Sequence, residues 1–250
     1  MKKSFMREAI LRANHLSRSH GFELVRYPAT GSRGELTRRI FSFRQVDCAF
    51  DVGAFTGGYV DFLRSEVGFD GPVVSFEPTS STFAKLQDRW GADHRWRGFN
   101  YALGSENGMA SLHTSTHGDL NSIRSASEYG RDRWRGALRQ GTEEQVQVVR
   151  LADVFEQVTQ GLKTDRVFMK VDTQGLDMEV IEGALPVLDR VVALQTEIAV
   201  KHLYESTPGW TDALERLSAL NFVPAGLYPA CSGEDGLEVV EFDCIMVRRH

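Results

Sequence analysis

The chain has 250 residues, 42% of them hydrophobic and 25% charged, which suits one α/β domain with a sizeable core. Its formal charge of −5 and pI near 5.8 argue against a surface built to hold a nucleic acid backbone. Three scattered cysteines, Cys48, Cys231 and Cys244, are too few for a disulfide framework or a zinc cluster.

The opening stretch, MKKSFMREAILRANHLSRSHGF, starts basic as a signal peptide does. It then places Arg7, Glu8, Arg12 and Asn14 where such a segment needs an apolar core. Phe5, Met6, Ile10, Leu11 and Leu16 instead fit one face of an amphipathic helix, and LTRRIFSF fits a second short one. No window is apolar enough for a membrane span. The expectation is a soluble, cytoplasmic protein whose residues 1–45 form a helical extension or cap. That extension could cover its own site or pack on a second subunit as a homodimer.

From residue 46 onward, apolar runs alternate with helical segments: CAFDV, then GGYVDFLRSEV; PVVSFEP, then STFAKLQDRW; then FNYAL. This rhythm predicts a mostly parallel sheet with helices on its faces. It breaks over residues 105–150, where GSENGMASLHT and EEQVQVVRL read as strands around a loop rich in Ser, Gly and Arg. It resumes with LADVFEQV, RVFMKVD, LDMEVIEGALPVL and RVVALQTEI. The tail is one helix followed by two strands close enough to form an antiparallel hairpin.

AFDVGAFTGGYVDF, residues 49–62, is a strand, a glycine turn and a helix start. A phosphate-binding Gly-Lys-Ser/Thr loop is absent. A dinucleotide fingerprint would need glycine at position 55, where Phe55 stands, and Asp51 would put charge near two phosphates. S-adenosylmethionine fits the turn better. It has no phosphate, Asp51 is tolerable beside its ammonium, and N–H groups from Thr56 and Gly57 onward can face its carboxylate. Glu77, at the end of the next strand, suits a ribose diol. Asn100 or Tyr101 on the third strand could meet an adenine. Gly53, Phe55 and Asp172 complete the expected cofactor-binding set.

Lys170 and Asp172 are two apart on a buried strand, so both leave the same side at its carboxyl end. Burying such a pair idly is costly. Glu197 ends the neighbouring strand and could converge with Asp172. Together they either hold a divalent cation such as Mg, which lowers a hydroxyl's pKa, or Asp172, with or without His202, meets the hydroxyl directly. His113 and His117 flank the insertion. There, Arg124, Arg131, Arg133, Arg135 and Arg139 surround Trp134, forming either a self-paired lid or a substrate gate in which Trp134 stacks on a ring. Asp119, Asn121 and Ser122 could hydrogen-bond a polyol.

FDVGAFTGGY, VVSFEP, NYALGSENGMASL, VFMKVDTQGLDMEVIEGA, LQTEI and FDCIMV together resemble the FkbM family of methyltransferases, collinearly from about Cys48 to Val247. The resemblance implies a Rossmann-like class I methyltransferase fold, S-adenosylmethionine as cofactor, and O-methylation of a small-molecule or glycosyl acceptor, often in natural-product chemistry. Phe55 replaces the family's usual asparagine, and Gln174 and Asp177 stand where glutamates are common. An NAD(P)-dependent oxidoreductase and a non-catalytic S-adenosylmethionine binder are the rival readings. The Asn/Asp-Pro-Pro-aromatic tetrad of base-methylating enzymes is missing.

Overall fold

The computed structural model describes residues 13, 17, 31–115, 118, 120–134 and 142–249. Ala13 and Ser17 are helical, whereas Phe5, Met6, Ile10, Leu11 and Leu16 of the expected amphipathic helix lie outside the described residues.

The centre is a seven-stranded sheet. Its strands are β1 (Cys48–Val52), β2 (Val73–Phe76), β3 (Trp96–Phe99), β7 (Val167–Val171), β8 (Val191–Ala199), β9 (Phe222–Ser232) and β10 (Val239–Arg248). They stand in the order β3-β2-β1-β7-β8-β10-β9. β3, β2, β1, β7 and β8 pair in parallel, and β10 runs antiparallel to both β8 and β9, closing the expected terminal hairpin. Every residue of β1, β2 and β7 is buried, as in a sheet covered on both faces.

The helices are α1 (Arg33–Arg44), α2 (Gly58–Phe62), α3 (Ser80–Trp90), α4 (Glu128–Arg133), α5 (Leu151–Val158), α6 (Asp177–Gly183) and α7 (Trp210–Ala219). α2 runs into a π turn over Leu63–Val67 and α6 into a 3-10 turn over Leu185–Arg190. One face of the sheet packs Phe50, Met169 and Leu194 against Phe155, Ile181 and Leu217 of α5, α6 and α7. The other packs Ala49, Phe168 and Ile245 against Ile40 and Phe41 of α1 and Val60 and Phe62 of α2. The helix expected from LTRRIFSF is therefore part of this core. Its start is fixed by Ser32, whose Oγ accepts from the Glu35 N–H, while the Glu35 carboxylate accepts from the Gly31 N–H.

The insertion forms a second sheet of β4 (Ala102–Leu103), β5 (Gly108–His113) and β6 (Glu143–Val149), ordered β4-β6-β5. The expected third strand, FNYAL, divides here. β3 stops at Phe99, Asn100 Nδ2 donates to the Glu77 and Pro78 carbonyls, and Ala102–Leu103 pairs with β6. An amide that satisfies two carbonyls at a strand end competes with continued pairing and turns the chain.

Candidate active site

The turn after β1 is held by backbone contacts. Gly53 has φ +73°, and a Cβ there would lie 1.8 Å from the Asp172 carbonyl oxygen, so only glycine fits. The Gly53 and Ala54 N–H groups both donate to the Phe76 carbonyl at 3.0 Å. Phe55 takes φ +47°, and its N–H donates to Glu77 Oε2 at 2.9 Å. Glu77 Oε1 accepts from the Thr79 N–H, also at 2.9 Å. Burial pushes the Glu77 carboxyl up, and these donors pull against it.

Beside this turn lies a cleft at the carboxyl ends of the strands. Val52, Gly53 and Phe55 line it from β1, and Phe76 to Thr79 from β2. Tyr101 to Leu103 form a third wall, Asp172 to Gln174 with Leu176 the β7 side, and Leu112, Gly118 and Asn121 to Ile123 the roof. The lining contains the carboxylates of Glu77 and Asp172 and neither lysine nor arginine. Tyr101 Oη is buried with no hydrogen-bond partner among the described residues, leaving a donor for a bound group.

The roof is tied down on two sides. Asn121 Oδ1 accepts from the Ser115 N–H, and its Nδ2 donates to Thr79 Oγ1. Ser122 Oγ donates to the Gln174 carbonyl at 2.6 Å. Arg124 Nε donates to the Gly175 carbonyl, and its guanidinium pairs with Glu179. Arg131 donates to the Ala126 carbonyl and Arg133 to the Ser232 carbonyl. These arginines fasten loops; Arg135 and Arg139 lie outside the described residues.

A charged row crosses the sheet below the turn. Asp51 and Lys170 are register partners on β1 and β7, and Asp51 is wholly buried. Lys170 Nζ lies 3.3 Å from Asp51 Oδ1 and 3.3 Å from Asp172 Oδ2, and donates to the Gly53 carbonyl at 2.8 Å. Burial works to lower the Lys170 pKa, but the Asp172 and Asp51 carboxylates outweigh it and hold the ammonium charged. Lys170 is thus a fixed cation, not a proton acceptor. Burial would raise Asp172; Lys170, with hydrogen bonding from Gln174 and Glu197, outweighs it and holds the carboxyl below its ordinary value. The Asp172 side chain is 34% exposed toward the cleft.

Past Asp172 the chain bends sharply, with Gln174 at φ +53° and Gly175 at φ +98°. Gln174 Nε2 donates to Asp172 Oδ1 and to Glu197 Oε2, both at 3.1 Å. Tyr204 Oη donates to Gln174 Oε1 at 2.8 Å. Asp177 accepts from Thr173 N–H and Oγ1, Thr196 Oγ1 and the Glu197 N–H, which pins this loop to β8. Burial and then Asp172 raise Asp177 to about 6. Burial, then Asp172 and Glu241, push Glu197 well up.

Several expected site residues sit elsewhere. Gly57 serves packing, since a Cβ there would meet the Trp90 indole at 2.5 Å. The Thr56 carbonyl accepts from Arg89, and neither Thr56 nor Gly57 lines the cleft. Asn100 clamps the β2 end rather than meeting the cleft. Asp51 reaches the cleft only through Lys170. His202 is exposed on the loop after β8 and away from the lining. Trp134 packs on Leu203 and Tyr204 and takes the Arg133 guanidinium on its ring, so it is not a stacking wall of the cleft. His113 faces Glu143 at 3.5 Å. Asp119 and His117 lie outside the described residues. Asp172 and Glu197 do converge, bonded to each other and both accepting from the Gln174 amide. Among the described residues no group of three His, Cys, Asp or Glu side chains is arranged to hold a metal ion. Sequence reasoning missed Tyr204 and the role of Gln174; both stood in quoted stretches, yet nothing in their spacing joins them.

The layering, the strand order and a cleft at the ends of β1 and β2 define a Rossmann-like α/β fold of the methyltransferase type. The methyltransferase FkbM domain model matches residues 51–224, and the chain belongs to that family. No curated protein matches the sequence. Among solved structures it is similar to a methyltransferase FkbM from Methylobacillus flagellatus KT, with 13% identity and a TM-score of 0.48, covering 82% of this chain and 44% of that one. It is also similar to the O-methyltransferase TomG from Streptomyces achromogenes, solved with SAM, with 16% identity and a TM-score of 0.47, covering 97% and 90%. A third is a putative RNA methyltransferase, PH1948, from Pyrococcus horikoshii, with 13% identity and a TM-score of 0.41, covering 86% and 82%.

Proposed function

We propose that the protein binds S-adenosylmethionine in the cleft and methylates a hydroxyl of a small-molecule or glycosyl acceptor. One observation carries the cofactor reading. The N–H groups of Gly53, Ala54 and Phe55 are all committed inside the protein, and among the described residues the lining has two carboxylates and no cation. A dinucleotide's diphosphate finds neither free turn donors nor a basic partner there. A phosphate-free nucleoside with a cationic end meets both carboxylates favourably. Glu77 would take the ribose diol with its remaining lone pairs, the walls of Phe76, Tyr101 and Leu112 would hold the base, and Tyr101 Oη would find a partner.

When bound, S-adenosylmethionine supplies a methyl group already made electrophilic by its sulfonium. The protein's own task is to aim a nucleophile and manage its proton. Asp172, ionised beside Lys170, accepts a hydrogen bond from the acceptor hydroxyl. That bond strengthens as the oxygen takes the methyl group and its remaining proton turns acidic; the proton then passes through Asp172 to solvent, and the low pKa of Asp172 makes it an orienting acceptor and transient relay more than a strong base. A second cleft, which shares Ser122, is lined by Thr114, Ser125, Thr142 and Tyr204 together with His113, Arg124, Arg131 and Glu143. Its mix of hydroxyls with charged hydrogen-bonding groups suits a polar acceptor, and the acidic balance of the chain disfavours a nucleic acid.

Among the described residues no helix is long and apolar enough to cross a membrane. The free cysteines support a reducing compartment, the cytoplasm. Calorimetry against S-adenosylmethionine and NAD tests the cofactor reading, and preference for NAD discards it. Carbon-13 methyl transfer to a panel of polyol and amine acceptors, read by NMR, tests the oxygen preference. A product methylated only on nitrogen overturns it.

A further inference from the structure

One nitrogen, Gln174 Nε2, stands 3.1 Å from an oxygen of Asp172 and 3.1 Å from an oxygen of Glu197. Asp172 is ionised and only accepts, so the amide's NH₂ must face it, and Glu197 Oε2 accepts from the same nitrogen; Tyr204 Oη, donating to Oε1, holds the amide in that sense. The backbone is bent to deliver this side chain. Gln174 adopts a left-handed φ, and its carbonyl is held by Ser122 Oγ. A Cβ on Gly175 would meet Thr207 at 2.9 Å and Tyr204 at 3.1 Å, which packs the loop tightly against the segment after β8. A strained residue held from both ends by specific bonds is over-determined by its surroundings.

Two carboxylates drawn toward one central donor is the arrangement a divalent ion also imposes. An ion at that centre would bring the oxygens in to about 2.1–2.5 Å and would require further oxygen ligands. The amide supplies two donated hydrogen bonds instead, and Lys170 supplies the positive charge on the opposite side of Asp172. We propose that Gln174 is a positioning residue standing in the place of a divalent cation, so that its amide, not a metal, holds Asp172 and Glu197 for methyl transfer. This deepens the reading of the site given above.

The test reads Mn²⁺ binding by electron paramagnetic resonance, with neither cofactor nor acceptor present. Its outcome is therefore independent of whether the methyl-transfer reading holds. Wild-type protein is expected to leave the free Mn²⁺ signal unchanged. Gln174→Glu turns the amide into a third carboxylate and is expected to bind one Mn²⁺ at least about tenfold more tightly than wild type. Adding Glu197→Gln to that variant is expected to abolish the gain. If Gln174→Glu does not fold, Gln174→Ser opens the same space for a hydrated ion, and bound Mn²⁺ is again the expected result. Mn²⁺ bound by wild type and lost in Glu197→Gln would overturn the proposal. So would a folded Gln174→Glu, or in its place a folded Gln174→Ser, that gains no ion.

Discussion

Asp51 and Lys170 stand side by side on two adjacent parallel strands, 3.3 Å apart at the carboxylate and ammonium. Neither is in the turn that the cofactor would touch, yet the pair sets the charge beneath it.

Removing one partner should therefore cost far more than removing both. Lys170→Met leaves Asp51 buried without a countercharge and is expected to lower unfolding stability by about 3–5 kcal/mol. The double substitution Asp51→Asn with Lys170→Met should recover most of that loss. Urea unfolding of the two single variants and the double variant measures it, and additive losses would contradict the pairing.

Gly53→Ala should disrupt the floor of the cleft, because the new Cβ would sit 1.8 Å from the Asp172 carbonyl oxygen. A destabilisation of about 2 kcal/mol or more is expected from the clash and the positive φ together. S-adenosylmethionine affinity should fall with it, as read by calorimetry at a temperature where the variant remains folded.

Glu77 and Asp172 should separate kinetically. Glu77→Ala removes an acceptor for the ribose and frees the Phe55 and Thr79 N–H groups. Its S-adenosylmethionine affinity is expected to drop about tenfold or more. Asp172→Ala should lower turnover about a hundredfold while changing that affinity little. Equal effects on both quantities in both variants would remove the division of labour.

Stability should decline with rising pH because of Glu241. This half-buried carboxyl on β10 is raised from its ordinary value to about 8, first by burial and then by Asp172, Asp177 and Asp243. A folded-state pKa above the unfolded value means the contribution is fully present below about pH 4.5 and lost as pH rises toward 8. Glu241→Gln removes this titration. The variant should gain on wild type by about 1 kcal/mol or more between pH 5 and pH 9. Unfolding midpoints of both proteins at the two pH values check it.

What could be read from sequence was what is local along the chain. Strand, glycine turn and downstream acid follow one another within 30 residues, so Asp51, Gly53 and Glu77 were placed at the correct strand ends. The two-residue period put Lys170 and Asp172 on one side of β7, as found. Gly57 also packs on Trp90 of another helix, a contact that no motif around the turn reveals. Asn100 carries the same composition signal whether it meets a ligand or clamps a carbonyl. Gln174 and Tyr204 meet only because the loop after β7 and the segment after β8 fold onto each other. The left-handed backbone at Gln174 is invisible in a residue other than glycine.

The contact between Gly53 and the Asp172 backbone leaves no slack between the donor half of the centre and the acceptor half. A shift in one strand end is passed directly to the other, and the foundation resists redesign. Adaptation to a new acceptor is expected to run through the overhead loop, where Asn121 is anchored to Thr79 by a side-chain bond that substitution can exchange without disturbing the sheet.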